Sequence, residues 1–190
     1  MRNLFTESQK ALLNLPPKND TETEVSESWN FSEGLLSFGG QEFIFPEGFR
    51  AEASSRWLED SLLLVNIGIS AVVETECARC LASTSLEISG ELGYLYCSQS
   101  SEELDGLDEY MTVEVEFFGR VIDVMPQIME SVYTLLPTKV LCREDCKGLC
   151  PSCGKNLNEG SCSCGNENID PRLEALRNFK AYISPKTVKF

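Results

Sequence analysis

The spacing of apolar positions changes twice along the chain, and each change marks a boundary. Before residue 30 the pattern is weak. Leu4, Phe5, Ala11, Leu12 and Leu13 suffice for one short helix ended by Pro16-Pro17, and the polar, acidic stretch from Lys18 to Ser28 reads as a linker or loop. From Leu35 the period is two. Leu35-Leu36-Ser37-Phe38, then Gly39-Gly40, then Gln41-Glu42-Phe43-Ile44-Phe45 predicts a hairpin with a Gly-Gly turn. Ser61 to Glu76 is a long β run rich in Val, Ile and Leu, and Thr84 to Tyr96 alternates through Leu86, Ile88, Leu92, Tyr94 and Tyr96. Met111 to Phe118 predicts another strand, with Val113, Val115 and Phe117 on one face. The acidic stretch from Ser98 to Tyr110 predicts a loop before it.

The period then becomes helical. Met125, Ile128, Met129, Val132, Tyr133 and Leu136 recur at three- and four-residue spacing, a stripe that predicts one helix packed on the sheet. Asp123 suits its N-cap, Pro126 is tolerated in the first turn, and Pro137 stops it. Residues 138–168 hold six cysteines and few large apolar side chains, too little to order themselves by burial, so they need a covalent or metal staple. Asp170-Pro171-Arg172-Leu173 opens a short last helix with Leu173, Leu176 and Phe179 on its apolar face. The expected class is α+β: an antiparallel, partly barrel-like β-sheet with one core helix and a C-terminal cysteine-rich zinc-binding segment ending in a short helix. Its expected parts are a weakly structured segment (1–29), the sheet with the core helix (30–137), the cysteine-rich segment (138–168), and the last helix with its tail (169–190).

Composition narrows the class of protein. With 42% hydrophobic and 24% charged residues, the chain has the balance of a soluble globular protein of one domain plus an appendage, or of two small domains. The longest apolar runs, such as Leu62-Leu63-Leu64-Val65, are strand-length, far short of the roughly 18 residues a membrane helix needs. Met1 to Phe5 leads at once into polar residues with no apolar core of a secretory signal, so a cytoplasmic location is expected and a membrane partner is not. The net charge of −14 argues against a general nucleic-acid coat. It is unevenly spread: residues 1–136 carry −17 and residues 137–190 carry +3. Any RNA contact is therefore expected in the C-terminal third.

The cysteines carry the chemistry. There are nine, and no histidine, which removes Ser-His-Asp and Cys-His catalysis and any histidine metal ligand. Cys150-Pro151-Ser152-Cys153-Gly154 is the strongest signal. Two thiolates two residues apart bind one tetrahedral ion when the backbone makes a tight knuckle, and Gly154 supplies the positive φ that the knuckle wants. Cys162-Ser163-Cys164 can close that site, and Cys142 and Cys146 offer two more thiolates upstream. Cys77-Ala78-Arg79-Cys80 lies between two predicted strands, at a hairpin turn. With Cys97 set aside as a small buried hydrophobe, eight cysteines remain, enough for two four-thiolate sites. The preferred pairing is Cys150, Cys153, Cys162 and Cys164 for one, and Cys77, Cys80, Cys142 and Cys146 for the other. One zinc is expected, and two fit the count. A redox dithiol, an iron–sulfur cluster and a catalytic zinc are the rivals. The first wants a thiol at a helix N-terminus, and the last wants an open coordination position beside an acid–base residue. All-thiolate ligation favours a structural ion.

Several of these segments resemble a known family. Cys77-x-Arg79-Cys80-Leu81 resembles the short signature of the bacterial YceD proteins, called large ribosomal RNA subunit accumulation proteins. The run CREDCKGLCPSCGKNLNEGSCSC from Cys142 to Cys164 is similar to the C-terminal signature of the zinc-type members, as is Ile169 to Leu176. Val113-Glu114-Val115 through Asp123 to Leu136-Pro137 is similar to the family's strand-then-helix middle. The resemblance covers roughly residues 30–180. It implies a non-enzymatic role in the accumulation of 23S ribosomal RNA and in large-subunit biogenesis, with ribosomal RNA or a large-subunit ribosomal protein as partner and no small-molecule substrate.

Under that reading the candidate contacts are Arg79, Arg143, Lys147, Lys155, Arg172 and Arg177, each of which also has an ordinary role in solubility or helix capping. Asn156 and Asn158 are expected to shape the turn between the cysteines. Two other functions stand beside this one: an acidic adaptor whose −17 body holds a basic ribosomal protein, and a thiol-disulfide oxidoreductase.

Overall fold

Alternating side chains build nearly all of the regular structure. The computed structural model describes residues 9–18, 20–59, 61–97, 110–115 and 119–164. In chain order the strands are β1 (Leu12–Asn14), β2 (Val25–Phe31), β3 (Gly34–Phe38), β4 (Gln41–Phe45), β5 (Phe49–Glu59), β6 (Leu62–Glu76), β7 (Ser83–Cys97), β8 (Met111–Glu114) and β9 (Val121–Asp123), followed by the helix α1 (Met125–Leu135). The chain divides into two compact units, Met1–Cys146 and Lys147–Phe190. Cys142 and Cys146 thus fall in the first unit, with Cys77 and Cys80.

In the first unit β6 is the spine of a seven-stranded sheet. Along one edge it pairs antiparallel with β7 from Leu62↔Cys97 to Glu76↔Ser83. Along the other edge it pairs with β5 from Phe49↔Ala71 to Glu59↔Leu62, and further on with β4 at Ile44↔Glu74. The expected hairpin is β3–β4, turned at Gly39 and Gly40 with φ of 61° and 79°, the left-handed pair that a tight two-residue turn requires. β2 flanks β5 antiparallel, and β8 runs parallel to β7.

The barrel-like expectation is not met. A barrel closes only when its outermost strands pair with each other. Among the described residues β2, β3 and β8 each have one partner and none pairs with another of the three, so the sheet stays open. It is mostly antiparallel, with β8 the exception.

The N-terminal segment also differs from its expectation. Leu12–Asn14 is a strand, antiparallel to β9, with Ala11 and Leu13 buried and Leu12 52% exposed, a period of two where a helix was expected. Val25–Phe31, part of which reads as loop, is the edge strand β2. Leu4 and Phe5 lie outside the described residues, as do the 98–109 segment, Phe117 and the last helix expected from Asp170.

α1 packs its stripe on β6 and β7, with Met125, Ile128, Val132 and Leu136 buried in the core beside Trp57, Phe43, Phe45 and Tyr94. Two tyrosines of β7 fix it there. The Tyr94 hydroxyl lies 3.0 Å from Ser131 Oγ and donates to the Gln127 carbonyl at 3.2 Å, and Tyr96 donates to Gln127 Oε1 at 2.7 Å. The N-cap is Val124, one residue later than expected. Asp123 still works there: its Oδ1 accepts from Met125 N–H at 3.0 Å and from Ala11 N–H at 3.1 Å, tying β1 to the helix start.

Candidate metal centres

Cys77 and Cys80 stand at the tip of the β6–β7 hairpin, the strand–turn–strand setting that their sequence context predicts. Cys77 N–H donates to the Ala82 carbonyl at 2.8 Å, and Leu81 N–H returns to the Cys77 carbonyl at 2.9 Å. Ala78 N–H donates to Val140 O at 2.8 Å, which draws the chain beyond α1 against this tip. That chain delivers Cys142 and Cys146. Cys77 Sγ lies 3.8 Å from Cys146 Sγ, and Cys80 Sγ lies 3.6 Å from Cys142 Sγ. Cys77, Cys80 and Cys146 are buried and Cys142 is exposed.

The second quartet lies within the second unit and repeats the knuckle. Cys150 N–H donates to Lys155 O at 2.8 Å, and Gly154 N–H donates to Cys150 O at 2.9 Å. The loop that returns the chain is shaped by asparagines: Asn158 Oδ1 accepts from Lys147 N–H at 2.8 Å, and Asn156 Oδ1 accepts from Asn158 N–H at 3.0 Å. This brings Cys162 and Cys164 to Cys150 and Cys153. Only Cys150 of this quartet is buried.

Within each quartet the four sulfurs lie within 4.8 Å of one another. A tetrahedral ion with metal–sulfur bonds of about 2.3 Å sets sulfurs about 3.8 Å apart, so both quartets have the dimensions for a single ion. All nine cysteines are free thiols. A multi-iron cluster needs a wider frame to fit its irons and sulfides between the ligands. Cys97, set aside in the sequence reading, is buried in β7, and burial pushes its thiol up.

The electrostatics of the two quartets match. Burial opposes ionisation of Cys77, but backbone N–H groups of Arg79, Cys142 and Cys80 outweigh it and lower its thiol to about 6. Cys142 is pushed up to about 12 by its hydrogen bond with Cys80, by burial and by the Cys146 and Cys77 sulfurs. In the second quartet the backbone N–H groups of Cys153 and Ser152 lower Cys150 to about 6. There Cys164 is pushed up to about 12, first by its hydrogen bond with Cys153. Each set forms one thiolate readily and resists the last, as expected of ligands that need a cation to ionise together.

Of the six basic residues singled out in the sequence, four are described, and three of these are engaged within the fold. Arg79 donates through Nη1 to the Cys146 carbonyl at 2.7 Å, bracing the first quartet. Arg143 pairs with Asp145 at 3.3 Å, and Lys155 donates through Nζ to Ser161 O at 2.8 Å. Lys147 is exposed, and Arg172 and Arg177 lie outside the described residues. In the sequence Leu81 stands out only as part of a signature. Its φ of 59° is the one positive value at a non-glycine among the described residues. The signal for it is the glycine at the equivalent place in the second knuckle. Among the described residues no helix is long and apolar enough to cross a membrane.

The fold and these sites define a class: a small open-sheet protein with two all-cysteine quartets, one in each unit, each sized for one metal ion. The family model for YceD, described as large ribosomal RNA subunit accumulation protein, matches residues 65–180, and the chain belongs to that family. It is 36% identical over 118 residues, 60% of this chain and 54% of the relative, to an uncharacterized protein of Mycobacterium tuberculosis. It is 26% identical over 167 residues, 75% of this chain and 52% of the relative, to the chloroplastic large ribosomal RNA subunit accumulation protein YCED homolog 1 of Arabidopsis thaliana. The chain thus spans about half the length of the curated relatives it matches. No solved structure matches it.

Proposed function

We infer that this protein is a non-enzymatic factor for the accumulation of large-subunit ribosomal RNA, acting in the cytoplasm, with a structural zinc ion in each cysteine quartet. Family membership supports the role, and one observation carries the zinc: two separate sets of four thiols, each with tetrahedral dimensions and no histidine or open ligand position. Zinc here supplies a fixed, redox-inert cross-link. Cys77, Cys80, Cys142 and Cys146 would hold one ion, and Cys150, Cys153, Cys162 and Cys164 the other. Native mass spectrometry of reduced protein tests this, with two zinc ions per chain expected and a ratio near zero refuting it.

Two modes of action fit the role. In the first the C-terminal third binds ribosomal RNA or a ribosomal precursor, with Lys147, Arg172 and Arg177 as leading contacts. In the second the acidic body holds a basic ribosomal protein. The second is favoured by the intramolecular bonds that occupy Arg79, Arg143 and Lys155 and by the −17 balance of residues 1–136. Titration with 23S ribosomal RNA fragments at two salt concentrations, beside the same titration with a basic large-subunit protein, separates them. Absence of RNA binding at low salt removes the first mode.

A further inference from the structure

The two knuckles share one backbone plan and differ at a single telling position. In each, the first cysteine's N–H reaches the carbonyl five residues on, and the residue four places on returns its N–H to that cysteine's carbonyl. That fourth residue is left-handed in both, with φ of 59° at Leu81 and 73° at Gly154. Glycine takes this conformation freely, whereas a leucine is strained there. The Leu81 side chain is 58% exposed, so packing within the fold does not offset the strain. An exposed apolar residue held in a costly conformation points to a contact outside the chain.

Leu81 stands on a cleft of about 650 Å³ that also takes in the Gly39-Gly40 turn and the carboxylate-bearing residues Glu42, Glu74 and Glu76. No lysine or arginine lines it, and among the described residues these three glutamates form no ion pair. The cleft wall is preformed. Gln41 Nε2 donates to Thr75 Oγ1 at 3.0 Å and to Glu76 O at 2.7 Å, and Thr75 donates to Glu42 O at 2.6 Å.

We propose that this cleft docks a lysine- or arginine-rich segment of a partner protein, which sets an apolar side chain on Leu81 and its cations against Glu42, Glu74 and Glu76. The same carboxylates repel a phosphate backbone, so RNA is not the occupant. The inference deepens the adaptor mode given above and rests on it.

The test uses the full-length, zinc-loaded chain with two labelled probes: a 12-residue peptide of ten lysines and two leucines, and a single-stranded RNA of 12 nucleotides. Leu81→Asn keeps a residue that tolerates left-handed φ, so it should fold with unchanged zinc content and an equal or higher melting temperature. It should weaken peptide binding about tenfold, the effect of losing one buried leucine contact. The double variant Glu74→Gln/Glu76→Gln should weaken it by a similar factor and flatten its salt dependence. Glu87→Gln/Glu91→Gln, outside the cleft, should change it less than about twofold. Peptide affinity unmoved by Leu81→Asn or by the Glu74/Glu76 variant overturns the assignment of the cleft and leaves the adaptor mode standing. RNA binding without peptide binding to the unaltered chain removes both.

Discussion

Replacing Cys146 by alanine tests the first quartet where an ion would do most for stability. Cys146 is 69 residues from Cys77, and Cys142 is 62 from Cys80. An ion shared by the four cross-links that stretch in the unfolded chain as well as in the folded one. By the loop-entropy relation a closure of about 65 residues is worth about 4 kcal/mol. The second quartet spans only Cys150 to Cys164, and the same relation gives about 3 kcal/mol, confined to its own unit. Trp57, 1% exposed in the first unit's core, is a local reporter. In urea, under reducing conditions and with zinc in excess, Cys146→Ala should lower the Trp57 transition midpoint by about 2 M, for a slope of about 2 kcal/mol per molar. Cys162→Ala should leave that midpoint nearly in place while removing one zinc. A shift below about 1 kcal/mol in Cys146→Ala, in material that has lost one ion, would show that the quartet is not a staple. An equal shift in Cys162→Ala would show that the units do not unfold separately.

The lowered thiols set the proton count of metal loading. With Cys77 and Cys150 near 6, both are thiolates at pH 7 and thiols at pH 5. Loading the metal-free protein with zinc at pH 5 should therefore release about 1.6 more protons per chain than at pH 7, read by calorimetry in buffers of different ionisation enthalpy. A release that does not change with pH contradicts the assignment. Gly154→Ala places a Cβ in open space at φ 73°, so its cost is backbone strain alone, about 1 kcal/mol. Competition with a chromophoric chelator should show about fivefold weaker zinc binding at the second quartet and no change at the first. Ile128→Ala removes a fully buried side chain from α1 and should cost about 3 kcal/mol in the same urea assay, with zinc content unchanged.

What the sequence disclosed depended on how local each signal was. The β3–β4 hairpin, β6, β7 and α1 were legible because large apolar residues mark one face at the right period. β5 was not, because its inward positions include Ala51, Ala53 and Ser55, buried but too small and weakly apolar to stand out. β1 reads as helix in the sequence because three adjacent residues, Ala11 to Leu13, fit either period; its pairing with β9, more than a hundred residues away, makes it a strand. The open sheet and the parallel β8 likewise follow from long-range pairing. The four cysteine pairs were readable by counting, whereas the fate of Arg79 was not. Its side chain meets a carbonyl 67 residues on, and only the fold brings the two together.

The origin of the first quartet in two distant segments also has a consequence in time. Cys77 and Cys80 leave the ribosome 62 residues or more before the partners that complete their set. At a synthesis rate of roughly 5–20 residues per second, that is an interval of about 3–12 s. During it the β6–β7 hairpin can pair, but its tip holds two thiols with half a ligand set. The second quartet, gathered within 15 residues, waits only about 1–3 s. A chain cut short before Cys142 would contain every described strand and α1 yet hold zinc poorly. Stable metal capture by the first unit therefore signals that synthesis has passed residue 146.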